Sequence, residues 1–231
     1  MEIDGMRHKR IVCLLVLGLF MTYLWIIFVD YYTIATPSMA PTIQPGERIS
    51  VIKRLCFMQK VIPNDIIIFN KPVNAKGEGV YCKRVLGCPG DRIGAVDGHC
   101  WNDKVLRPIG VVGEQEKLRW MFDGFFTMTN SFEVFPFTRK DWNLKNWGPL
   151  IVPATGLSVS LDDFTRELYR QVIEFETGKT LEDTVTEYTF RGNYYFAVGD
   201  NAMSSYDSRY WGFIPEDFII GIVCGKRFRN K

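Results

Sequence analysis

The chain has 231 residues, room for one domain or one domain with an elaboration, and 47% of them are hydrophobic, which excludes a disordered chain. Lys and Arg number 28 against 26 Asp and Glu, a formal net charge of +2, so the basic excess of a general nucleic-acid binder is missing. Six cysteines occur without a C-x-x-C pair, which removes the common zinc and thioredoxin signatures, and histidine is limited to His8 and His99.

The first element is residues 11–29, IVCLLVLGLFMTYLWIIFV, nineteen residues without a charge. At ~1.5 Å rise per residue such a helix spans the ~30 Å hydrocarbon core of a bilayer. Arg7, Lys9 and Arg10 precede it and Asp30 follows. Residues 1–10 therefore read as a short cytoplasmic N-terminus, with the bulk of the chain across the membrane. Tyr31 and Tyr32 suit the far headgroup layer. A cleaved secretory signal has a shorter apolar core and a small-x-small end. Here Ile27, Phe28, Tyr31 and Tyr32 crowd the end of the run and Ala35-Thr36-Pro37 follows, so the segment reads as an uncleaved anchor.

Strand-like runs follow at 48–53, 65–69, 80–86, 193–198 and 218–223, rich in β-branched and aromatic residues and punctuated by Gly, Pro, Asn and Asp. One helix is predicted over about 161–177. Leu161, Phe164, Leu168, Val172 and Phe175 recur at spacings of three and four, Ser160 is a candidate N-cap, and Gly178 follows the last periodic residue. Residues 120–147 hold nine aromatics without a clean period: Trp120, Phe122, Phe125, Phe126, Phe132, Phe135, Phe137, Trp142 and Trp147. They form either an insertion that packs its own small core or a surface that rests on lipid or an apolar substrate.

Seven residues beyond the apolar run stands Thr36-Pro37-Ser38-Met39-Ala40-Pro41-Thr42. Its prolines restrict φ around Ser38 and predict a rigid, non-helical stretch. A rigid serine beside another hydroxyl is a nucleophile candidate, though a turn serine reads the same way. Such a serine needs a base. His8 lies across the bilayer, and nothing around His99, in Asp97-Gly98-His99-Cys100, recommends it. The other workable base is a neutral lysine. Lys83 lies in an apolar strand, where desolvation lowers its pKa, and a nearby Arg84 would push the same way. A neutral fraction near about pH 7–8 would suffice. A lysine that snorkels to water is the plainer alternative.

The block Gly199-Asp200-Asn201-Ala202-Met203-Ser204-Ser205-Tyr206-Asp207-Ser208-Arg209 completes a series. An N-terminal anchor is followed in order by S-M-x-P-T at Ser38–Thr42, a strand box at Asn64–Phe69, K-R-x-x-G-x-P-G-D at Lys83–Asp91, and G-D-N-x-x-x-S-x-D-S-R at Gly199–Arg209. Together these closely resemble the bacterial type I signal peptidases, membrane-anchored serine proteases that remove secretory signal peptides. Lysine in place of histidine as base points to the bacterial type rather than that of the endoplasmic reticulum. The boxes cover residues 36–91 and roughly 193–223. Departures are Ala202 where many members have Arg, Met203 where a polar residue is common, and Cys88 in place of a common Leu.

The resemblance implies a mainly β fold, with a coiled antiparallel β-sheet catalytic domain over 33–100 and 191–231. A helix-containing insertion over 101–190 and one N-terminal transmembrane helix complete it. It implies that Ser38 is the nucleophile and Lys83 the general base. Thr36 and the Ser38 N–H would hold the oxyanion, and Ser205 would orient the lysine. Met39 and Pro41 shape the site, and Asp200, Asp207 and Arg209 are structural. Asp207 could pair with Arg209 or with Arg84. No metal or cofactor is implied. The implied partners are secreted preproteins cut after A-x-A, the lipid bilayer and the export translocon, with no nucleic acid. The implied location is the bacterial cytoplasmic membrane, with the catalytic domain on its outer face. A specialised processing peptidase for pilin-like or conjugation proteins shares these boxes, whereas an inactive tethered binding module would have lost Ser38 or Lys83. Cys88 and Cys100 are close enough in sequence for a disulfide, which that side of the membrane permits.

Overall fold

The computed structural model describes residues 2–54, 60–72, 79–121, 134–139 and 141–227. Helix α1 (Glu2–Phe28) is apolar from Ile11 to Phe28, long enough to cross a bilayer, with none of that window buried against the rest of the chain. Strand β1 (Val29–Thr33) starts at the next residue, so Val29, expected inside the anchor, is already sheet. Across this junction Trp25 Nε1 donates to Tyr31 Oη at 2.8 Å, and Asp30 pairs with Lys53 at 3.0 Å.

The main sheet adds β2 (Arg48–Lys53), β3 (Ile66–Asn70), β4 (Val80–Gly87), β10 (Tyr194–Val198), β11 (Ile214–Pro215) and β12 (Ile219–Arg227). All its pairs are antiparallel, in the order β1-β2-β12-β3-β4-β10-β11. The register shifts within β12 and β10, and such irregularities add twist, so the sheet curls into a half-barrel. The fold is mainly β, as the sequence implied.

A second sheet runs β6-β5-β7, from β5 (Arg92–Val96), β6 (His99–Asn102) and β7 (Trp147–Ile151). Asp97 and Gly98, at φ of 49° and 80°, form the two-residue turn between β5 and β6, the positive-φ pair that a tight hairpin requires. This sheet joins residues on both sides of the boundary expected at 100/101. Helix α2 (Val112–Arg119) follows β6. Strands β8 (Ser158–Ser160) and β9 (Glu187–Thr189) pair beside helix α3 (Asp163–Thr177). The cap of α3 is Asp162 rather than Ser160. Its carboxylate accepts from Thr165 N, and the Thr165 hydroxyl returns to the Asp162 N–H. Gly178 closes the helix in the left-handed region, as its position suggested.

The buried aromatics among the described residues of this tract join the main core instead of packing one of their own. Phe135, Trp142 and Trp147 are buried in one cluster with Phe196 of β10 and Phe213, and the Phe135 N–H donates to Arg209 O at 2.7 Å. Trp120 is 79% exposed. Phe122, Phe125, Phe126 and Phe132 lie outside the described residues. Two smaller clusters flank the main sheet: Ile67, Phe69, Val85 and Trp211 on one face, and Ile34, Met39, Ile68 and Cys82 on the other.

Candidate active site

Ser38 sits in a short 3-10 turn, Pro37–Met39, where a non-helical stretch was expected. Proline's fixed φ suits the first position of such a turn, so the same restriction that forbids a long helix favours this one. Met39 is wholly buried beneath the nucleophile and pins the turn to the core. Ile43 N donates to Met39 O at 2.9 Å, and Asn201 N donates to Ser38 O at 3.1 Å. Pro41 follows a cis peptide bond.

Lys83 projects from β4 with Nζ 2.7 Å from Ser38 Oγ. Its side chain is 4% exposed. Burial holds its pKa below the ordinary lysine value; the Asp207 carboxylate pushes it up, and the Arg209 charge adds to the lowering. The cationic neighbour is therefore Arg209 and not Arg84. Adjacent strand residues point to opposite faces, and Arg84 turns to Asp200, bonding it through Nε and Nη2 at 2.7 Å each. Asp200 also accepts from the Thr42 hydroxyl. This clamp joins β4, the end of the serine box and the start of the C-terminal box.

Thr36 Oγ1 lies 3.2 Å from Ser38 Oγ. Ser205 donates to Asp207 Oδ2 at 2.6 Å, and no Lys83–Ser205 hydrogen bond occurs among the described residues. Asp207 is fully buried. It accepts from Gly199 N at 2.8 Å and from Arg209 Nε and Nη2 at 2.8 and 2.6 Å, so the pairing left open by the sequence is Asp207–Arg209. Burial alone would raise the Asp207 carboxyl, but Arg209 and the surrounding donors hold it below the usual carboxylate range. Gly199 is needed for close approach. A Cβ there would lie 2.6 Å from Ser38 O and would collide with the Ser205 hydroxyl.

A groove of about 410 Å³ opens onto Ser38 and Lys83, lined by Ile34, Ile68, Cys82, Tyr81 and Tyr206. It follows the Val80–Lys83 stretch of β4, which pairs with β3 on one side, whereas β10 covers the other side only from Arg84 onward. His99 lies elsewhere, bonded to Glu116 and to Asp97 O. The structure has Cys88 and Cys100 as free thiols; Cys88 bonds Val61 O at 3.3 Å, and burial pushes the two up to about 12 and about 11. Sequence reading passed over Tyr206, which occupies a variable place in its motif, so only its position in space marks it.

A curled antiparallel sheet here brings a serine hydroxyl within 2.7 Å of a buried amine at an open groove, a pairing of nucleophile and base of the kind that serine hydrolases use. A family model described as "Signal peptidase, peptidase S26" matches residues 7–225. A "Signal peptidase I" of Aquifex aeolicus (strain VF5) is 26% identical over 216 residues, covering 93% of this chain and 81% of its own. Another of Bacillus caldolyticus is 28% identical over 192 residues, covering 83% and 75%. A crystal structure of a signal peptidase I from Enterococcus faecalis V583 covers 72% of this chain and 98% of its own, at 20% identity and a TM-score of 0.36. On the extent of the family match, the chain belongs to the signal peptidase family, peptidase S26. It is a signal-peptide-cleaving peptidase and a serine protease.

Proposed function

We propose that Ser38 and Lys83 form the catalytic dyad of an endopeptidase that removes signal peptides from exported preproteins after A-x-A. The observation that carries this reading is the 2.7 Å approach of a buried Lys83 Nζ to Ser38 Oγ at the head of the groove. The substrate adds as an extended strand along Val80–Lys83, through main-chain hydrogen bonds. Neutral Lys83 accepts the Ser38 proton as Oγ attacks the scissile carbonyl carbon. Thr36 and the Ser38 N–H stabilise the oxyanion. The leaving amine takes the proton back from Lys83. Water then gives a proton to Lys83, attacks the acyl-enzyme ester, and Ser38 is released with its proton restored. Ser205 is a positioning residue acting through Asp207, the carboxylate that accepts its hydroxyl proton in a hydrogen bond and whose charge bears on Lys83.

Helix α1 anchors the chain in the bacterial cytoplasmic membrane, and Arg7, Lys9 and Arg10 keep its N-terminus inside. The groove then lies on the outer face, where preproteins emerge beside the lipid and the export translocon.

Cleavage of an A-x-A preprotein in detergent tests the reading. The wild type is expected to cut after the second alanine, and Ser38→Ala to be inert. Cleavage that survives Ser38→Ala would refute the dyad. Thr36→Val is expected to lower kcat about 10²–10³-fold with little change in KM, as loss of one oxyanion donor does. Steady-state kinetics on the same preprotein would show it.

A further inference from the structure

One side chain ties the insertion to the site. Asn64 stands in the turn before β3, at a φ of 81° that asparagine tolerates better than most residues. Its backbone and its side chain are both fully engaged. The N–H donates to Val85 O of β4 at 2.9 Å, and the carbonyl accepts from Arg84 Nη1 at 3.0 Å. Nδ2 donates to Pro108 O at 3.1 Å, and Oδ1 accepts from Gly110 N at 2.8 Å. Pro108 and Gly110 belong to the loop between β6 and α2, within the insertion.

That loop roofs the clamp on which the serine box rests. A Cβ on Gly110 would lie 3.9 Å from both Arg84 Cδ and Asp200 Oδ1. Ile109, between the two anchored residues, is 1% exposed. Gln115 of α2 secures the loop from its other end, donating from Nε2 to Ile109 O at 2.6 Å. Under this roof Arg84 holds Asp200, and both bond Thr42 at the end of the serine box. Asn201, the next residue, donates its N–H to Ser38 O at 3.1 Å. Among the described residues, the groove lining includes none of Asn64, Ile109 and Gln115.

We propose that Asn64 is a positioning residue for the reaction. It locks loop 108–110 over Arg84 and Asp200 while its carbonyl holds the far end of the same guanidinium. The Thr42 and Asn201 contacts that keep Ser38 against Lys83 are fixed in this way, and the insertion becomes part of the catalytic support. This rests on the Ser38–Lys83 reading above.

The test is steady-state cleavage of an A-x-A preprotein in detergent by wild type, Ser38→Ala, Asn64→Gly, Gln115→Ala and the double variant Asn64→Gly/Gln115→Ala, each with a thermal melt. Glycine adopts the left-handed turn freely and keeps the carbonyl for Arg84, so Asn64→Gly removes only the two side-chain bonds to the loop. A misplacement of about 1 Å can cost about 10²-fold in rate, so kcat should fall about 10–10²-fold, with KM within about two-fold of the wild type. Gln115→Ala should lower kcat in the same manner. Both act through one loop, so the double variant should lose about as much as Asn64→Gly alone. A folded Asn64→Gly with wild-type kcat overturns the assignment, as does a loss that falls on KM, or losses that multiply in the double variant. If Asn64→Gly does not fold, wild-type kcat in Gln115→Ala overturns it. Full activity in Ser38→Ala, or none in the wild type, instead brings down the dyad reading and the role of Asn64 with it.

Discussion

Replacing Lys83 by alanine or methionine should lower kcat about 10⁴–10⁶-fold, the scale on which serine proteases lose activity when the base is removed. The pH profile carries more information than the loss itself. In the proposed dyad the neutral amine is the active form, and burial lowers its pKa from the ordinary 10.5. Wild-type kcat/KM should therefore rise with pH through a value below 10.5 and then level off, as expected for a single essential base. The residual activity of Lys83→Met should lack that rise. Stability should move the other way. Below the folded-state pKa the buried ammonium costs the native state its desolvation, and between the folded and unfolded values the native state binds fewer protons than the unfolded one. Wild-type stability therefore increases with pH across that window. Lys83→Met should be at least as stable as the wild type at neutral pH, and the gap should close as pH approaches 10.5. Denaturant unfolding at two pH values would check this. A clearly less stable Lys83→Met would contradict the burial argument.

Asp207→Ala should cost about 3–5 kcal/mol of stability, because it strands Arg209 as an unpaired cation that is only 3% exposed. It also orphans the Ser205 hydroxyl and the Gly199 N–H, both of which donate to this carboxylate. Pairing the change with Arg209→Met should recover much of the loss, since buried ion pairs replaced by apolar groups of similar size are often neutral. The Asp207 pKa is held below 3.8, so the stability that the pair supplies is present at neutral pH and is lost only as pH falls below that value. Urea melts of the single and double variants at pH 7 would measure both effects. A double variant no more stable than Asp207→Ala would mean that the site depends on the charges themselves and not on their cancellation.

The strands legible in the sequence were those with continuous β-branched and aromatic runs: Arg48–Lys53 was placed to the residue, and β3, β4 and β10 to within one. β1 escaped because Val29 closes the apolar run of the helix and Tyr31 and Tyr32 read as residues of the headgroup layer, so no separate strand run was left to see. β5 contains Gly94 and Ala95, and β7 contains Gly148 and Pro149, residues that weaken any strand signal. The Asp97-Gly98 turn was visible, but its flanks were too weak to announce the hairpin. In the site, the order of the boxes singled out Ser38 and Lys83. What the order could not supply was pairing through space. Arg84 with Asp200, Asp207 with Arg209 and the ring of Tyr206 beside Tyr81 each depend on how the sheet curls.

The passage from α1 to β1 without a hinge has a geometric consequence. Nine residues, 29–37, separate the helix from Ser38, and five of them are paired in β1. With α1 in the bilayer, as proposed, the anchor works as a mast of fixed height rather than a tether. A groove tied to the helix by so short and so largely paired a link has little length of chain with which to rise or sink to find a bond. A preprotein is then gauged from the lipid surface upward, by how far its small residues stand clear of the hydrocarbon. One extra helical turn in its apolar stretch would shift that point by about 5.4 Å, more than one residue of an extended strand. Length, as much as side-chain identity, would decide which exported chains are cut.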